Sequence, residues 1–181
     1  ASQRAARTDW VALPVLQAQA QRQQARLATL CDGQGSGESW VTLKHAMVQA
    51  MESGCGIYRT EAGMQQALDT LRQLRQRYAQ VRVSDTSKIF NTELLECLEF
   101  GYGLEIAEAS CLAALERRES RGAHHRLDEG LQARDDVGYL KHSQVFYQGD
   151  APAELRWQAV DTRFSAPAAR VYGDAAKGGK A

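Results

Sequence analysis

Side chains that could do chemistry are concentrated in one stretch of the chain, between Arg117 and His142. Three histidines, His124, His125 and His142, stand there among charged residues of both signs. The arginines are Arg117, Arg118, Arg121, Arg126 and Arg134, and the carboxylates are Glu119, Asp128, Glu129, Asp135 and Asp136. Arginine and carboxylate side chains form bidentate hydrogen-bonded pairs. No cysteine or third histidine stands at ligand spacing, so hydrogen-bonded roles for His124 and His142 are favoured over metal ligation.

The same stretch also has an interpretation without chemistry. Arg117 and Arg118 in a last helical turn would complement the negative end of the helix dipole. Gly122 can take the left-handed conformation that stops a helix. The remaining charges would then form a solvated loop.

The four cysteines offer no recognisable motif. They are Cys31, Cys55, Cys97 and Cys111, and none falls in a C-x-x-C pair. Neither a zinc site nor a redox motif is therefore indicated. Cys97 and Cys111 stand at apolar helical positions and are expected to be small core residues. Reduced thiols in a cytoplasmic protein are expected.

Three G-x-G segments, at 33–35, 54–56 and 101–103, raise the question of a phosphate-binding loop. None follows a predicted strand, as the dinucleotide-binding fingerprint requires. The pair at 101 and 103 interrupts a predicted helix, at about 1 kcal/mol each relative to alanine. Their expected use is to permit a close helix crossing.

Composition limits the remaining classes of function. The length of 181 residues suits one domain, and 44% hydrophobic residues suffice for a core. The 22 basic and 22 acidic residues cancel, so no overall field attracts nucleic acid or anionic lipid. Apolar runs are too short for a membrane-spanning helix, and no signal peptide is visible. A start at Ala1 without methionine is consistent with a fragment or a processed product.

Hydrophobic periodicity predicts four helices before the charged stretch, at about 14–30, 39–52, 60–79 and 92–120. Thr60 is the expected N-cap of the third, and Asn91 or Thr92 that of the fourth. Ser53 to Gly56 should end the second. The predicted stripe of the third helix is Met64, Ala67, Leu68, Leu71, Leu74 and Tyr78. That of the fourth is Leu94, Leu95, Leu98, Tyr102, Ile106, Ala109, Leu112, Ala113 and Leu115.

Arg72, Arg75 and Arg77 lie toward the end of the third predicted helix. A solvated face with favourable placement in the helix dipole is the favoured interpretation. The alternative is a nucleic-acid-binding module that also uses Arg82. Zero net charge and the lack of exposed aromatic platforms argue against that module.

After the charged stretch the apolar residues alternate with polar ones, as in strands. Residues 143–147 and 155–160 are predicted strands, and Gly149 to Pro152 reads as the turn of a hairpin. The last residues, 174–181, are expected to be disordered. Composition and periodicity together therefore predict a mainly α protein, a helical bundle with a β-rich tail.

Four segments carry a resemblance to a known family. They are G-I-Y-R-T-E at 56–61, V-S-D-T-S-K-I-F-N-T-E-L-L at 83–95, R-R-E-S-R-G-A-H-H-R-L-D at 117–128 and R-D-D-V-G-Y-L-K-H at 134–142. With them, residues 38–173 resemble the C-terminal region of the flavoprotein subunit of fumarate reductase and succinate dehydrogenase. R-L-D-E-G after the histidines and R-V-Y-G at 170–173 resemble the fumarate reductase branch. One departure is Gly138, where the family more often has asparagine.

The resemblance implies one domain of a larger enzyme. In the family, the upstream flavin domain holds FAD covalently through a histidine and binds the dicarboxylate. Flavin N5 delivers hydride there, and an arginine delivers the proton. The resemblance therefore implies no catalytic, cofactor-binding or metal-binding residue in this chain, which should be inactive alone.

The implied fold is a three-helix bundle, spectrin-repeat-like, with an extended C-terminal tail that contains the β-hairpin. Residues 1–37 would be a helix and linker leaving the flavin-binding domain, and 38–142 the bundle with the charged motif. Residues 143–173 would be the β-rich tail, before the disordered 174–181.

The implied role is packing on the flavin domain and support of the contact with the iron–sulfur subunit. Membrane anchor subunits would hold the complex at the inner face of the bacterial cytoplasmic membrane. The residues expected to act structurally or at interfaces are Tyr58, Arg59, Glu119, Ser120, Arg121, His124, Arg126, Asp128, Arg134, Asp135, Asp136, Lys141 and His142. The alternative to this role is a free-standing helical protein-interaction module.

Overall fold

The computed structural model describes residues 13–32, 38–149 and 151–168. In chain order its elements are α1 (Leu13–Leu30), α2 (Trp40–Cys55), β1 (Tyr58–Arg59), α3 (Glu61–Tyr78), α4 (Thr92–Glu116), β2 (His125–Arg126), α5 (Asp136–Tyr139), β3 (Lys141–Phe146) and β4 (Glu154–Ala159). The protein is therefore mainly helical with a few small strands, as predicted. The predictions for 1–12, for most of the loop at 32–37, for 170–173 and for the tail at 174–181 lie outside the described residues.

The chain divides into two compact units, residues 1–134 and 135–181. The first unit holds α1 to α4 with the strands β1 and β2, and the second holds α5, β3 and β4. No helix in the described parts of either unit is both long enough and apolar enough to cross a membrane.

Side-chain caps determine where the helices α2, α3 and α4 of the first unit begin. Ser39, Thr60 and Asn91 each accept a hydrogen bond from a backbone N–H in the first turn of α2, α3 and α4. Such caps satisfy donors that have no partner inside the helix. The predicted cap at Thr60 is confirmed, and Asn91 rather than Thr92 caps α4.

The hydrophobic core of the first unit lies among α2, α3 and α4, which all contact one another. The buried residues of α3 are Met64, Ala67, Leu68, Leu71 and Leu74, as the periodicity predicts. Leu30 at the end of α1 joins this core, and its carbonyl accepts a hydrogen bond of 2.9 Å from the Val83 N–H. The extended link after α3 is thereby fixed beside α1.

Helix α4 buries a different face from the predicted one. Its buried residues are Cys97, Phe100, Gly101, Leu104, Ala107, Glu108, Cys111 and Ala114. Leu95, Tyr102 and Ile106 of the predicted stripe are exposed, whereas Leu94 and Leu98 pack partly against the core. Apolar residues surround most of this helix, so periodicity did not distinguish its faces. Packing against α2 and α3 selects the buried one.

Helix α4 also ends earlier than predicted. Its last residue is Glu116, and Arg117 already has an extended backbone, with φ −84° and ψ 96°. The prediction that Arg117 and Arg118 occupy the last turn is therefore wrong. Gly122 has φ +61° but stands in a later turn and does not stop the helix. The buried guanidinium of Arg126 binds carbonyls at this helix end instead.

The first two arginines of α3 form ion pairs instead of an open basic face. Arg72 Nε lies 3.4 Å from Glu108 Oε1, and Arg75 Nη1 lies 3.0 Å from Glu108 Oε2. Glu108 projects from α4 and is only 3% exposed. The two arginines neutralise a buried carboxylate, which periodicity did not indicate.

The next two arginines are paired as well. Arg77 forms an ion pair with Glu38, and Arg82 Nε lies 2.8 Å from Asp32 Oδ1. All four arginines of the nucleic-acid alternative thus have acidic partners within the first unit. Arg72 and Arg75 are therefore only partly solvated, and these pairs remove the support for the alternative.

Helices α2 and α3 come close together at two glycines. Helix α2 continues to Cys55, past its predicted end, so that Gly54 lies inside it and is buried. A Cβ on Gly54 would overlap the carbonyl oxygen of Gly63 and stand 2.6 Å from the Cβ of Ala67. The close approach therefore requires a residue without a side chain at position 54. Gly103 of α4 has room instead, since a Cβ there would meet only the Met47 methyl group at 3.9 Å.

The second unit contains the predicted β-hairpin. Strands β3 and β4 pair antiparallel, from Lys141 opposite Ala159 to Phe146 opposite Glu154. The predicted strands at 143–147 and 155–160 are confirmed with bounds shifted by one or two residues. Gly149, with φ +67°, lies in the connection between the strands.

The glycine contacts give opposite expectations for two Gly→Ala substitutions. Gly54→Ala should lower the free energy of unfolding by about 1–3 kcal/mol, because the new methyl group overlaps a backbone carbonyl. Gly103→Ala should raise it by about 0.5–1 kcal/mol, since alanine favours a helix and the methyl group has room. Chemical denaturation followed by circular dichroism measures both. Equal effects of the two substitutions would contradict the close approach at Gly54.

Candidate functional site

The charged segment after α4 folds back onto the start of α3. Strand β2 pairs with β1 in parallel, with Tyr58 opposite His125 and Arg59 opposite Arg126. The Leu127 N–H donates a 2.8 Å hydrogen bond to the Arg59 carbonyl. Two segments that are distant in the sequence therefore meet, and their polar side chains form what is called here the arginine–histidine cluster. Its members are Arg59, Arg117, Glu119, Ser120, Arg121, His124, Arg126 and Asp128.

Glu119 is a completely buried carboxylate at one side of the cluster. Arg121 binds it with two hydrogen bonds, Nε to Oε1 at 2.7 Å and Nη2 to Oε2 at 3.0 Å. Arg117 Nη1 donates a third, at 2.7 Å to Oε1. A buried carboxylate is stable only when it is paired and hydrogen-bonded, and these two arginines meet that condition. Arg121 thus forms a bidentate pair with a carboxylate two residues earlier in the same segment.

A tight turn follows Glu119 and determines the position of the His124 side chain. Arg121 and His124 exchange two backbone hydrogen bonds, of 2.9 and 3.0 Å. Gly122 inside the turn has φ +61°, a conformation that costs glycine little and other residues more. The turn places the His124 side chain over the end of α4.

Ser120 ties this turn to the segment that follows. Its hydroxyl donates to the Leu131 carbonyl at 2.9 Å and accepts from the Arg126 N–H at 2.9 Å. Its own N–H donates to the Ala133 carbonyl at 3.1 Å. One small side chain thus closes the loop 121–133 on itself.

His124 joins the motif to β1. Arg59 Nη1 lies 2.9 Å from Nδ1, and the Arg117 carbonyl lies 3.0 Å from Nε2. Because a guanidinium can only donate, Nδ1 accepts and Nε2 carries the proton that binds the carbonyl. Burial lowers the pKa of His124, and the positive charges of Arg59, Arg126 and Arg117 lower it further. The neutral imidazole is therefore the stable form in the folded protein.

Arg126, like Glu119, is a charged residue of the cluster with no exposed surface. Its Nη1 donates to the carbonyls of Leu115 and Arg117, each at 3.2 Å, at the end of α4. Its Nε donates to Asp128 Oδ2 at 2.7 Å. Its Nη2 has no hydrogen-bond partner in the described part of the protein and lies 3.9 Å from Glu61 Oε2.

Asp128 connects this guanidinium to the start of α3. Both carboxylate oxygens accept from the Glu61 N–H, at 2.9 and 3.2 Å. Burial opposes ionisation of Asp128, but the hydrogen bonds from Glu61 and Arg126 outweigh it and lower the pKa of the carboxyl group. A carboxylate at a helix N-terminus is also favoured by the helix dipole.

The remaining predicted residues lie at the edge of the cluster or outside it. Tyr58 is exposed, and its ring meets that of His125 edge to face at 5.3 Å. Arg134 is the last residue of the first unit.

The other four predicted residues belong to the second unit. Asp135 caps α5 by accepting from the N–H groups of Val137 and Gly138, at 3.0 and 2.8 Å. Asp136 begins α5, and the Lys141 ammonium lies 4.9 Å from the ring of Trp157. His142 is an exposed residue of β3.

Sequence reasoning missed three groups that complete the cluster. The Glu61 N–H holds Asp128, the Gly56 carbonyl accepts from Arg59 Nε at 2.8 Å, and Arg117 shares Glu119. Two of the three act through the backbone, which residue type does not indicate. The pairing of Arg117 could have been predicted from the sequence, because Arg117 stands two residues before the carboxylate of Glu119.

The cluster is built to hold segments together. Both ring nitrogens of His124 are engaged, so the imidazole cannot serve as a general base while the cluster is intact. Glu119 and Asp128 each bind at least two donors from the protein itself. The arrangement therefore joins the end of α4, β1 and the start of α3 and does not present reactive groups to a substrate.

The glycine pairs that the structure describes do not fit the phosphates of a flavin nucleotide. Gly54 lies inside α2 and Gly56 follows it, while Gly101 and Gly103 both lie inside α4. Helical N–H groups already bind carbonyls four residues earlier, and no described strand leads into either pair. A phosphate cradle requires a strand, a glycine loop and a helix in that order. The pair at 33–35 is outside the described residues.

Comparison with known proteins finds relatives of this chain in sequence and in fold. Residues 44–172 match the family model described as fumarate reductase flavoprotein C-term. The chain is 46% identical over 158 residues to a fumarate reductase flavoprotein subunit of Proteus vulgaris, covering 87% of this chain and 26% of that protein. It is 38% identical over 127 residues to a succinate dehydrogenase flavoprotein subunit of Coxiella burnetii, covering 68% of this chain and 21% of that protein. A chain of Escherichia coli quinol fumarate reductase matches with a TM-score of 0.82 and 44% identity, over 90% of this chain and 28% of that one.

The fold is thus that of a helical domain similar to the C-terminal part of fumarate reductase flavoprotein subunits. This chain spans about a quarter of the length of the Proteus relative. It belongs to the fumarate reductase flavoprotein C-terminal family, whose members include subunits of both fumarate reductases and succinate dehydrogenases. The resemblance seen in the motifs is confirmed.

The environment of His124 predicts a pH dependence of stability. The folded-state pKa of His124 is lowered from the ordinary 6.5, so the unfolded chain binds the proton more readily. Stability from this residue is complete above pH 6.5 and is lost as the pH falls toward the lowered pKa. The free energy of unfolding should therefore decrease between about pH 7 and pH 5 in the wild-type chain, and less in His124→Gln.

The matched control is His45→Gln, since His45 is an exposed residue of α2 in the same unit. It should keep the wild-type profile. Urea denaturation at several pH values measures all three chains. An identical decrease in wild type and His124→Gln would contradict the buried, neutral imidazole.

Proposed function

We propose that this chain is the C-terminal helical domain of the flavoprotein subunit of a quinol:fumarate reductase. The parent subunit interconverts fumarate and succinate by hydride transfer through FAD. The observation that carries this proposal is the arginine–histidine cluster. In it, side chains of the motif R-R-E-S-R-G-A-H-H-R-L-D form hydrogen bonds with other groups of the same motif. Such a cluster suits a domain whose role is to pack against other parts of the enzyme. The 46% identity to a fumarate reductase subunit supports this branch over succinate dehydrogenase.

In this proposal the three mutually packed helices α2, α3 and α4 are a three-helix bundle of the spectrin-repeat kind. Residues 1–37 are the helix and linker that leave the flavin-binding domain, and 38–142 are the bundle with the charged motif. Residues 143–173 form the β-rich tail and 174–181 a disordered end. The contacts among the three helices and the β3–β4 hairpin support this organisation.

The domain packs on the upstream flavin-binding domain and supports the contact with the iron–sulfur subunit. Through that subunit the complex reaches its membrane anchors, at the inner face of the bacterial cytoplasmic membrane. The quinol in the name of the Escherichia coli relative supports a membrane-associated complex. The interface residues are Tyr58, Arg134, Asp135, Asp136, Lys141 and His142, together with the members of the arginine–histidine cluster. The coverage of only a quarter of each relative favours this role over a free-standing interaction module.

The chain by itself should bind no FAD and reduce no fumarate, because FAD and the dicarboxylate belong to the upstream domain. The purified 181-residue chain should show no flavin absorbance after incubation with FAD and gel filtration. It should not oxidise a reduced viologen dye when fumarate is added. A stoichiometric flavin complex or turnover above a heat-denatured control would contradict this assignment of the chemistry.

Arg121→Ala in the full-length subunit should impair assembly more than chemistry. The substitution removes two hydrogen bonds from the buried Glu119 carboxylate, which should cost about 2–3 kcal/mol. The loss stays below the ~3–5 kcal/mol of a fully broken buried pair, because Arg117 remains. The yield of flavinylated complex should fall, whereas turnover per covalent flavin should stay close to wild type.

The matched control is Arg118→Ala. Arg118 pairs with Glu61 at the surface, with half of each side chain exposed, and such pairs contribute about 1 kcal/mol or less. This variant should assemble normally. Normal yield of Arg121→Ala with turnover per flavin reduced about a hundredfold, roughly 2.7 kcal/mol of barrier, would place Arg121 in the transition state. That result would overturn the structural role.

A further inference from the structure

Two thiols from different helices face each other beside the arginine–histidine cluster. Cys55 is the last residue of α2, and Cys111 lies in α4, 56 positions further along the chain. Their sulfur atoms are 3.2 Å apart, in hydrogen-bond contact. All four cysteines of the chain are free thiols. Sequence reasoning assigned Cys111 to the core and Cys55 to a helix end, and saw no relation between them.

The two thiols have different environments. Cys55 is half-buried at the helix end, whereas Cys111 is completely buried. Cys111 Sγ also donates to the Met64 carbonyl at 3.2 Å. Cys55 is therefore a partly exposed residue, whereas Cys111 lies buried between α3 and α4.

The partly exposed thiol is also the more acidic of the two. The hydrogen bond with Cys111 lowers the pKa of Cys55 against the effect of burial, and the charge of Arg59 lowers it further. The hydrogen bond with Cys55 raises the pKa of Cys111, and burial raises it more. Thiolate is the nucleophilic form of cysteine. Redox-sensitive cysteines combine an accessible, more acidic thiol with a second thiol that can resolve the first product.

We propose that Cys55 and Cys111 form a reversible dithiol–disulfide site, with Cys55 as the attacking thiol and Cys111 as the resolving one. The oxidant is a hydroperoxide, with hydrogen peroxide as the simplest example. The product links the end of α2 to the middle of α4. Neither thiol belongs to the packing role proposed above, so the inference stands apart from it.

The reaction balances in two steps. The Cys55 thiol first releases its proton to solvent. Its thiolate attacks one peroxide oxygen, the O–O bond breaks, and the hydroxide that leaves combines with the released proton to form water, giving a sulfenic acid. Cys111 sulfur then attacks the Cys55 sulfur, the S–O bond breaks, and the hydroxyl group leaves as water with the Cys111 proton. Two thiols and one hydrogen peroxide become one disulfide and two water molecules. A dithiol reductant reverses the reaction by exchange.

The geometry needs only a local movement. The sulfurs must approach from 3.2 Å to the bonding distance of about 2.05 Å. Cys55 occupies the final position of α2, where the helix leads into Gly56 and β1. Helix ends open more readily than helix centres. The Gly56 carbonyl also accepts the Arg59 hydrogen bond, so the site adjoins the residue that holds His124.

The test uses the complete 181-residue chain, reduced and then exposed to hydrogen peroxide in graded amounts. After the peroxide is removed, free thiols are alkylated in denaturant and counted by intact mass spectrometry. The wild-type chain should lose two of its four labels and a mass of two hydrogen atoms. Dithiothreitol should restore all four labels.

Peptide mapping must locate the bond. Trypsin leaves Cys97 and Cys111 in one peptide, because no lysine or arginine lies between Lys88 and Arg117. Cleavage after glutamate separates them at Glu99, Glu105 and Glu108. The cross-linked peptides should then contain Cys55 and Cys111.

Three serine variants give the controls. Cys55→Ser should keep its remaining labels at peroxide concentrations that oxidise the wild type. Cys111→Ser should stop at the Cys55 sulfenic acid, which dimedone traps. Cys31→Ser, at another half-buried cysteine, should form the bond as the wild type does. If Cys111→Ser fails to fold, Cys55→Ser still decides the matter, because Cys55 is only half-buried.

Three outcomes would overturn the inference. One is a bond between Cys31 and Cys97 in place of the expected one. Another is oxidation of Cys55 to sulfinic acid in the wild type while Cys111 keeps its label. The third is retention of all four labels at peroxide concentrations that oxidise free cysteine in the same buffer.

Discussion

The first unit depends on one buried charge, the guanidinium of Arg126. It binds the carbonyls of Leu115 and Arg117, which no helical N–H satisfies at the end of α4. Through Asp128 it also fixes the first N–H of α3, at Glu61. One side chain thus satisfies the C-terminal end of one helix and, with one intermediary, the N-terminal end of another. Because it has no exposed surface, water cannot take over these bonds without opening the structure.

The same solution recurs at two carboxylates. Glu119 and Glu108 are both buried, and each lies between two arginines. Burying an isolated charge is costly, and a buried pair is stable only when further hydrogen bonds complete it. The arrangement fixes where α3, α4 and the charged segment meet, since a shifted register would leave a charge unpaired. Buried ion pairs add little net stability compared with apolar packing, so positional specificity is the effect that this geometry supports.

Because these charged groups are paired with one another, a motif rich in arginine and histidine has a structural role in this domain. His124 is held neutral between Arg59 and a carbonyl, and the carboxylates are already occupied. The reactive groups of the domain are instead the thiols beside it, which belong to no charged motif. Cys55 and Cys111 meet only because α2 ends where α4 passes. The thiols proposed to react therefore lie outside the motif that is richest in charged residues and histidines.

The sequence by itself determined the helical class, the start of each main helix and the buried stripe of α3. Those features are local: a cap acts within one turn, and a stripe repeats along one element. It also determined the family, because the motif segments are contiguous. Tertiary structure alone decided the buried face of α4, where apolar residues surround most of the helix. It alone decided which charges are buried, because Glu108 and Arg126 bind groups contributed by other segments. Burial of a charge depends on partners brought together by folding, and residue type and spacing along the chain do not contain that information.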